Sequence, residues 1–176
     1  MNTVKIAMTD YEEEETGKET ACLPLWVKET APAVFIQDVL AYLGKNNWDI
    51  SIVFCNNASI RDLNRRFRDM DEPTDVLSFA LGEMDGERFL PGDIVISLEM
   101  VEENAGYFGV PIEEELRRVL VHGILHLDGM DHYGHLARTS GSGAPEDGEI
   151  EPMLYVQEEI LTALAAYEKK GSAWER

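Results

Sequence analysis

The stretch HGILHLDGMDH, residues 122–132, holds three of the chain's four histidines, two of them inside an otherwise apolar run. From Val119 to Leu127 every residue except His122 and His126 is apolar or glycine. A helix that is apolar nearly all the way round is a buried helix, so this segment predicts an element in the core. The i, i+4 spacing puts both imidazoles on one face, one turn apart. Unpaired burial of a polar group costs about 1–3 kcal/mol. Hydrogen bonds can satisfy such a pair, and so can one transition-metal ion bound by both rings.

The remainder of the stretch favours the metal. Gly129 follows His126 by three residues, where a helix can end in a left-handed residue at no steric cost to glycine. The chain can then turn back and bring His132 to the same point. The pattern HxxxHxxGxxH thus offers three imidazoles, His122, His126 and His132, with a coordination position left open, as in catalytic zinc sites. One Zn2+ per chain is expected, with another divalent transition metal as the alternative. His135 is a candidate fourth ligand or a surface residue. In the metallopeptidase motif HExxH the residue after the first histidine is the glutamate base. Here it is Gly123, which cannot accept a proton, and peptidase chemistry loses its base.

Working outward, Pro111 starts the helix that carries the motif, with Glu113, Glu114 and Glu115 near its positive end. Strands are expected at 3–8, 49–55, 75–81 and 93–97 from β-branched, alternating patterns. Helices are expected at 33–43, from a cap at Asn57 through SIRDLNRRF with Pro73 ending it, at 98–107 and at 152–169. A polar loop or hairpin, GEMDGERFLPG, separates the third and fourth strands. DYEEEETGKE at 10–19 is expected to be a solvated connection, and 134–149 a Gly-rich, flexible insertion. The order of elements predicts one α+β domain over residues 1–176, a small mixed sheet packed with helices and the three-histidine site at the end of a buried helix.

Composition sets limits. Asp and Glu number 34 against 15 Lys and Arg, a formal charge of -19, which repels polyanions at long range. Cys22 and Cys55 form no CxxC pattern and are expected to be reduced. No signal-peptide core and no apolar run of about 20 residues is present, so a soluble cytoplasmic protein without membrane contact is expected.

The motif resembles the HGxLHLxGxDH signature of the YbeY family, bacterial endoribonucleases and ribosomal-RNA maturation factors. LNRRFRDMDEPTDVLSF at 63–79, GDIVIS at 92–97 and MLYVQEEIL at 153–161 agree with it. Met130 departs from it, standing where the family usually has an aromatic residue, and the 134–149 segment interrupts the usual acidic helical stretch. The resemblance implies metal-dependent hydrolysis of single-stranded RNA, maturation of the 3′ end of small-subunit (16S) rRNA and ribosome quality control. It also implies the small ribosomal subunit as partner and Arg68 as the functional arginine, a guanidinium able to hold two phosphate oxygens. Arg61, Arg65 and Arg66 on the same helix either widen that patch or form a solvated face. Asp131 is a candidate to orient an imidazole or to cap the turn, Asp75 to reach the cleft or to begin its strand, and Ser78 to line the cleft. Two other readings stay open: a ribosome-assembly or RNA-binding factor with a structural metal, and a metal-dependent hydrolase of another substrate.

Overall fold

The computed structural model describes residues 1–9, 23–130 and 152–169. Its strands, β1 (Thr3–Met8), β2 (Asp49–Cys55), β3 (Val76–Asp85) and β4 (Arg88–Ser97), make one sheet in the order β1-β2-β4-β3. β1, β2 and β4 run parallel, and β3 pairs antiparallel to β4 as an edge strand. The helices are α1 (Leu25–Glu29), α2 (Pro32–Tyr42), α3 (Asn57–Arg68), α4 (Leu98–Phe108), α5 (Ile112–Leu127) and α6 (Pro152–Lys169). The expected α+β class and mixed sheet are therefore present. Among the described residues no helix is long and apolar enough to cross a membrane.

The alternation in β2 explains the layering. Ile50, Ile52 and Phe54 are fully buried on one face and join Ile94 and Ile96 of β4. Against them pack Ile36 and Leu40 of α2, Leu116, Leu120 and Ile124 of α5, and Ile160 of α6. Cys55 points to the other face, where it clusters with Leu77, Val95 and Ile60 of α3. Both faces are thus covered where β2 pairs with β4, as parallel strands require, while Lys5 and Ala7 of the edge strand β1 stay exposed. Cys55 is a free thiol whose pKa burial pushes up to about 12.

Several local details differ from expectation. Of the loop and hairpin expected between the third and fourth strands the hairpin is present, but the strands run further than expected, with Asp85 opposite Arg88 across a turn at Gly86 (φ 61°). Backbone pairing holds its tip, where the side chains from Glu83 to Arg88 are exposed, while Phe89 packs against Trp48 with ring centroids 5.4 Å apart. The cap of α3 is Asn56, whose side chain accepts from the Ser59 N–H at 2.9 Å. Asn57 is the first helical residue, its side chain accepting from Ser97 Oγ at 2.7 Å. The helix stops at Arg68, before Pro73 is reached, because Asp69 takes a left-handed conformation (φ 57°). The five-residue α1 was not expected; it is too short to show a helical period. Residues 10–19, Cys22, Asp131, His132, His135 and 134–149 lie outside the described residues.

Candidate functional site

α5 is buried along Val119, Leu120, Val121, Ile124 and Leu125, while His122 and His126 are half-buried. Its C-terminus is built by Gly129. The Gly129 N–H donates to the His126 carbonyl at 3.0 Å and the Met130 N–H to the Leu125 carbonyl at 3.0 Å. This is a Schellman ending, which needs a left-handed residue past the cap, and Gly129 has φ 88°. The reversal aims the Met130 carbonyl back at the helix, 3.1 Å from His126 Nδ1. The cap residue, Asp128, is held by an ion pair with Lys45 from the α2–β2 connection.

The two rings meet. His122 Nε2 and His126 Nε2 are 3.2 Å apart, and His122 Nδ1 lies 3.0 Å from Gln157 Oε1 on α6. Carbonyl oxygens only accept, so each Nδ1 carries the ring proton of a neutral imidazole. Both Nε2 atoms then turn their lone pairs towards one region, as two nitrogen ligands of a single cation do. Two nitrogens on one tetrahedral zinc, with Zn–N near 2.0–2.1 Å, would stand roughly 3.3 Å apart. The donor set present therefore fits a metal. His132, the third expected ligand, lies outside the described residues, among which no group of three metal-ligating side chains occurs.

The missing glutamate has a packing reason. A Cβ on Gly123 would stand 2.9 Å from Cγ2 and 3.0 Å from Cδ1 of the fully buried Ile94. α5 sits so close to β4 that any side chain after the first histidine would have to displace Ile94. Ser78 of β3 donates to the Gly123 carbonyl at 3.2 Å, so it docks α5 on the sheet. Asp75 begins its strand as a local acceptor, taking the Val76 N–H at 2.8 Å, the Thr74 hydroxyl at 3.3 Å and the Asn104 amide at 3.4 Å.

Four arginines lie on α3, and acids hold three of them. Arg61 forms a two-pronged pair with Asp71 at 2.9 and 3.0 Å; that hydrogen bonding lowers the Asp71 pKa and raises that of Arg61. Arg65 and Arg66 both pair with Asp62. Arg68 is exposed and has no ion pair or hydrogen bond among the described residues. Beside it Phe67, 65% exposed, rests edge-on against Phe79 with ring centroids 5.0 Å apart. Consecutive residues of the edge strand β3 thus touch both features: Phe79 meets α3 at Phe67, and Ser78 meets α5 at Gly123, next to His122. Neither Gln157 nor Phe67 stood out in the sequence, since both read as ordinary members of amphipathic helices.

Residues 24–140 match the family model described as Endoribonuclease YbeY, more than half of the chain and all of the histidine stretch. The chain belongs to the YbeY family. A relative named Endoribonuclease YbeY from Treponema denticola is 49% identical over 132 residues, covering 72% of this chain and 77% of the relative. One of the same name from Treponema pallidum (strain Nichols) is 41% identical over 96% of this chain and 99% of the relative. The solution structure of TM1509 from Thermotoga maritima is similar in fold, with a TM-score of 0.54 and 25% identity over 97% of this chain and 93% of that one. The YbeY family match reaches residue 140 and stops before α6, which nonetheless supplies Gln157 to His122.

Proposed function

We propose that this chain is a metal-dependent endoribonuclease that cuts single-stranded RNA in the cytoplasm. Its role is maturation of the 3′ end of small-subunit rRNA and ribosome quality control, with the small ribosomal subunit as partner. The observation that carries this reading is the pair of Nε2 atoms 3.2 Å apart with both Nδ1 protons already committed, in a chain whose relatives are named endoribonucleases.

His122, His126 and His132 would hold one ion, zinc before other divalent transition metals. Such an ion, when bound, supplies a Lewis acid for the phosphoryl group and acidifies a coordinated water. The rest falls to the chain. Arg68, which pairs with no acid among the described residues, offers its fork to two phosphate oxygens and stabilises charge developing on phosphorus. The exposed Phe67 ring gives a base a face on which to stack. With Gly123 packed against Ile94, the proton acceptor lies elsewhere than on this turn of α5. The acidic surface leaves RNA affinity weak and salt-sensitive, carried by contacts within a Debye length of about 8 Å.

The test is cleavage of single-stranded RNA by purified protein with and without chelator, beside His126→Ala and Arg68→Ala. Chelation and His126→Ala should abolish cutting, with zinc restoring the chelated sample, and Arg68→Ala should slow it at least hundredfold. Wild-type cutting by His126→Ala would trace the activity to a contaminant. A folded wild type that binds ribosomes yet never cuts would leave the assembly-factor reading in its place.

A further inference from the structure

Gln157 is a polar side chain in a place where few survive. It is 4% exposed at the α5–α6 contact, flanked by the buried Met153 and Ile160 of its own helix. Its amide orientation is set at both ends. Nε2 lies 3.4 Å from Glu158 Oε1, and Glu158 is in turn ion-paired to Arg118 of α5. Oε1 is therefore the atom turned to His122 Nδ1, at 3.0 Å.

From this geometry we infer that Gln157 is a positioning residue: it holds His122 as the Nδ1–H tautomer, aims Nε2 at the shared point, and thereby sets the affinity of the site for its ion. The inference rests on the metal reading above. A neutral imidazole carries one ring proton, on either nitrogen. With the proton on Nε2 the ring cannot ligate through that atom. An acceptor at Nδ1 removes this inactive form and fixes the ring plane, and partners of this kind typically alter metal affinity 10–100-fold. His126 receives the same service from the Met130 carbonyl. For His122 it comes from a helix 35 residues further along the chain. Because the amide is neutral, it orients the ring without adding negative charge to the site.

Two measurements test this on the full chain. Long-range 1H–15N correlation spectra of histidine-labelled, metal-free protein report the tautomer of each ring. Competition with a chromophoric chelator gives the zinc affinity of the wild type, Gln157→Met and Gln157→Glu. His122 should be Nδ1–H in the wild type. Gln157→Met, similar in length but without the acceptor, should lose that preference and bind zinc about 10–100-fold more weakly. Gln157→Glu, which restores an acceptor oxygen, should recover both the tautomer and the affinity. An Nε2–H tautomer of His122 in the wild type overturns the inference, and so does unchanged zinc affinity in a folded Gln157→Met. Should Gln157→Met not fold, the wild-type spectrum and the Gln157→Glu affinity still decide. A wild type that takes up no zinc removes the metal reading itself, an outcome separate from equal binding by wild type and variant.

Discussion

Gly129, just past the C-terminal cap of α5, and Glu115, in its first turn, carry opposite kinds of constraint. Gly129 adopts φ 88°, and an L side chain there costs roughly 1–2 kcal/mol. Gly129→Ala should lose about that much stability in urea unfolding and should also weaken zinc binding, because the Met130 carbonyl would no longer be delivered to His126. Glu115 is almost fully buried, with Arg118 Nε 3.5 Å from an Oε2 that has no well-formed hydrogen bond among the described residues. Burial holds its carboxyl above the usual carboxylate range, Arg118 pulls it back, and Asp75 pushes it further up. A carboxyl with a higher pKa folded than unfolded takes up protons on folding, so its effect on stability becomes less favourable as pH rises through and beyond about 4.3. Glu115→Gln should therefore match the wild type in acid and gain in melting temperature over it from about pH 4 towards neutrality. At this scale the sequence was informative wherever a residue type clashed with its neighbours, as imidazoles do in an apolar run. It was silent on Gln157 and Ile94, and it offered Ser78 for the cleft rather than for docking α5, because the importance of all three comes from contacts between elements far apart in the chain.

Among the elements, α3 is a basic helix largely neutralised by Asp62 on the helix and Asp71 just beyond it. Exposed ion pairs contribute only about 0–1 kcal/mol each, so cutting them should leave the fold intact. Asp62→Asn with Asp71→Asn frees Arg61, Arg65 and Arg66. The double variant should bind single-stranded RNA several-fold more tightly, with a salt slope steeper by about 0.7 for each phosphate newly contacted. Fluorescence anisotropy on a labelled oligonucleotide across a salt series would read both, and an unchanged slope would place α3 away from the RNA. Periodicity made α2, α5 and α6 legible, because each buries one long apolar stripe. The length of the β3–β4 hairpin was not legible, since from Glu83 to Arg88 its side chains are exposed and leave no buried alternation, and the packing of Phe89 on Trp48 joins residues far apart in the chain. α1 buries just Val27 fully, too little to leave a pattern.

For the whole molecule, the α+β class followed from the order of strands and helices, while the sheet order β1-β2-β4-β3 depends on crossovers that no local pattern encodes. The charge of -19 acts at this scale alone. It repels RNA over long distances, whereas Arg68 attracts phosphate only nearby. Salt screens the distant repulsion first, when the Debye length drops from about 30 Å at 0.01 M to about 10 Å at 0.1 M, and weakens the local attraction beyond that. KM for RNA should accordingly pass through a minimum near 0.1 M salt in steady-state assays; a steady rise from the lowest salt would mean that the net charge is irrelevant to encounter. The two rings of the site also differ in how heritable variation can reach them. The anchor of His126 is a main-chain oxygen, present whatever residue occupies position 130, so drift there leaves that ring undisturbed. The anchor of His122 is a side chain, which one codon change can strengthen, weaken or delete, making Gln157 the point through which selection can retune the centre without altering a ligand.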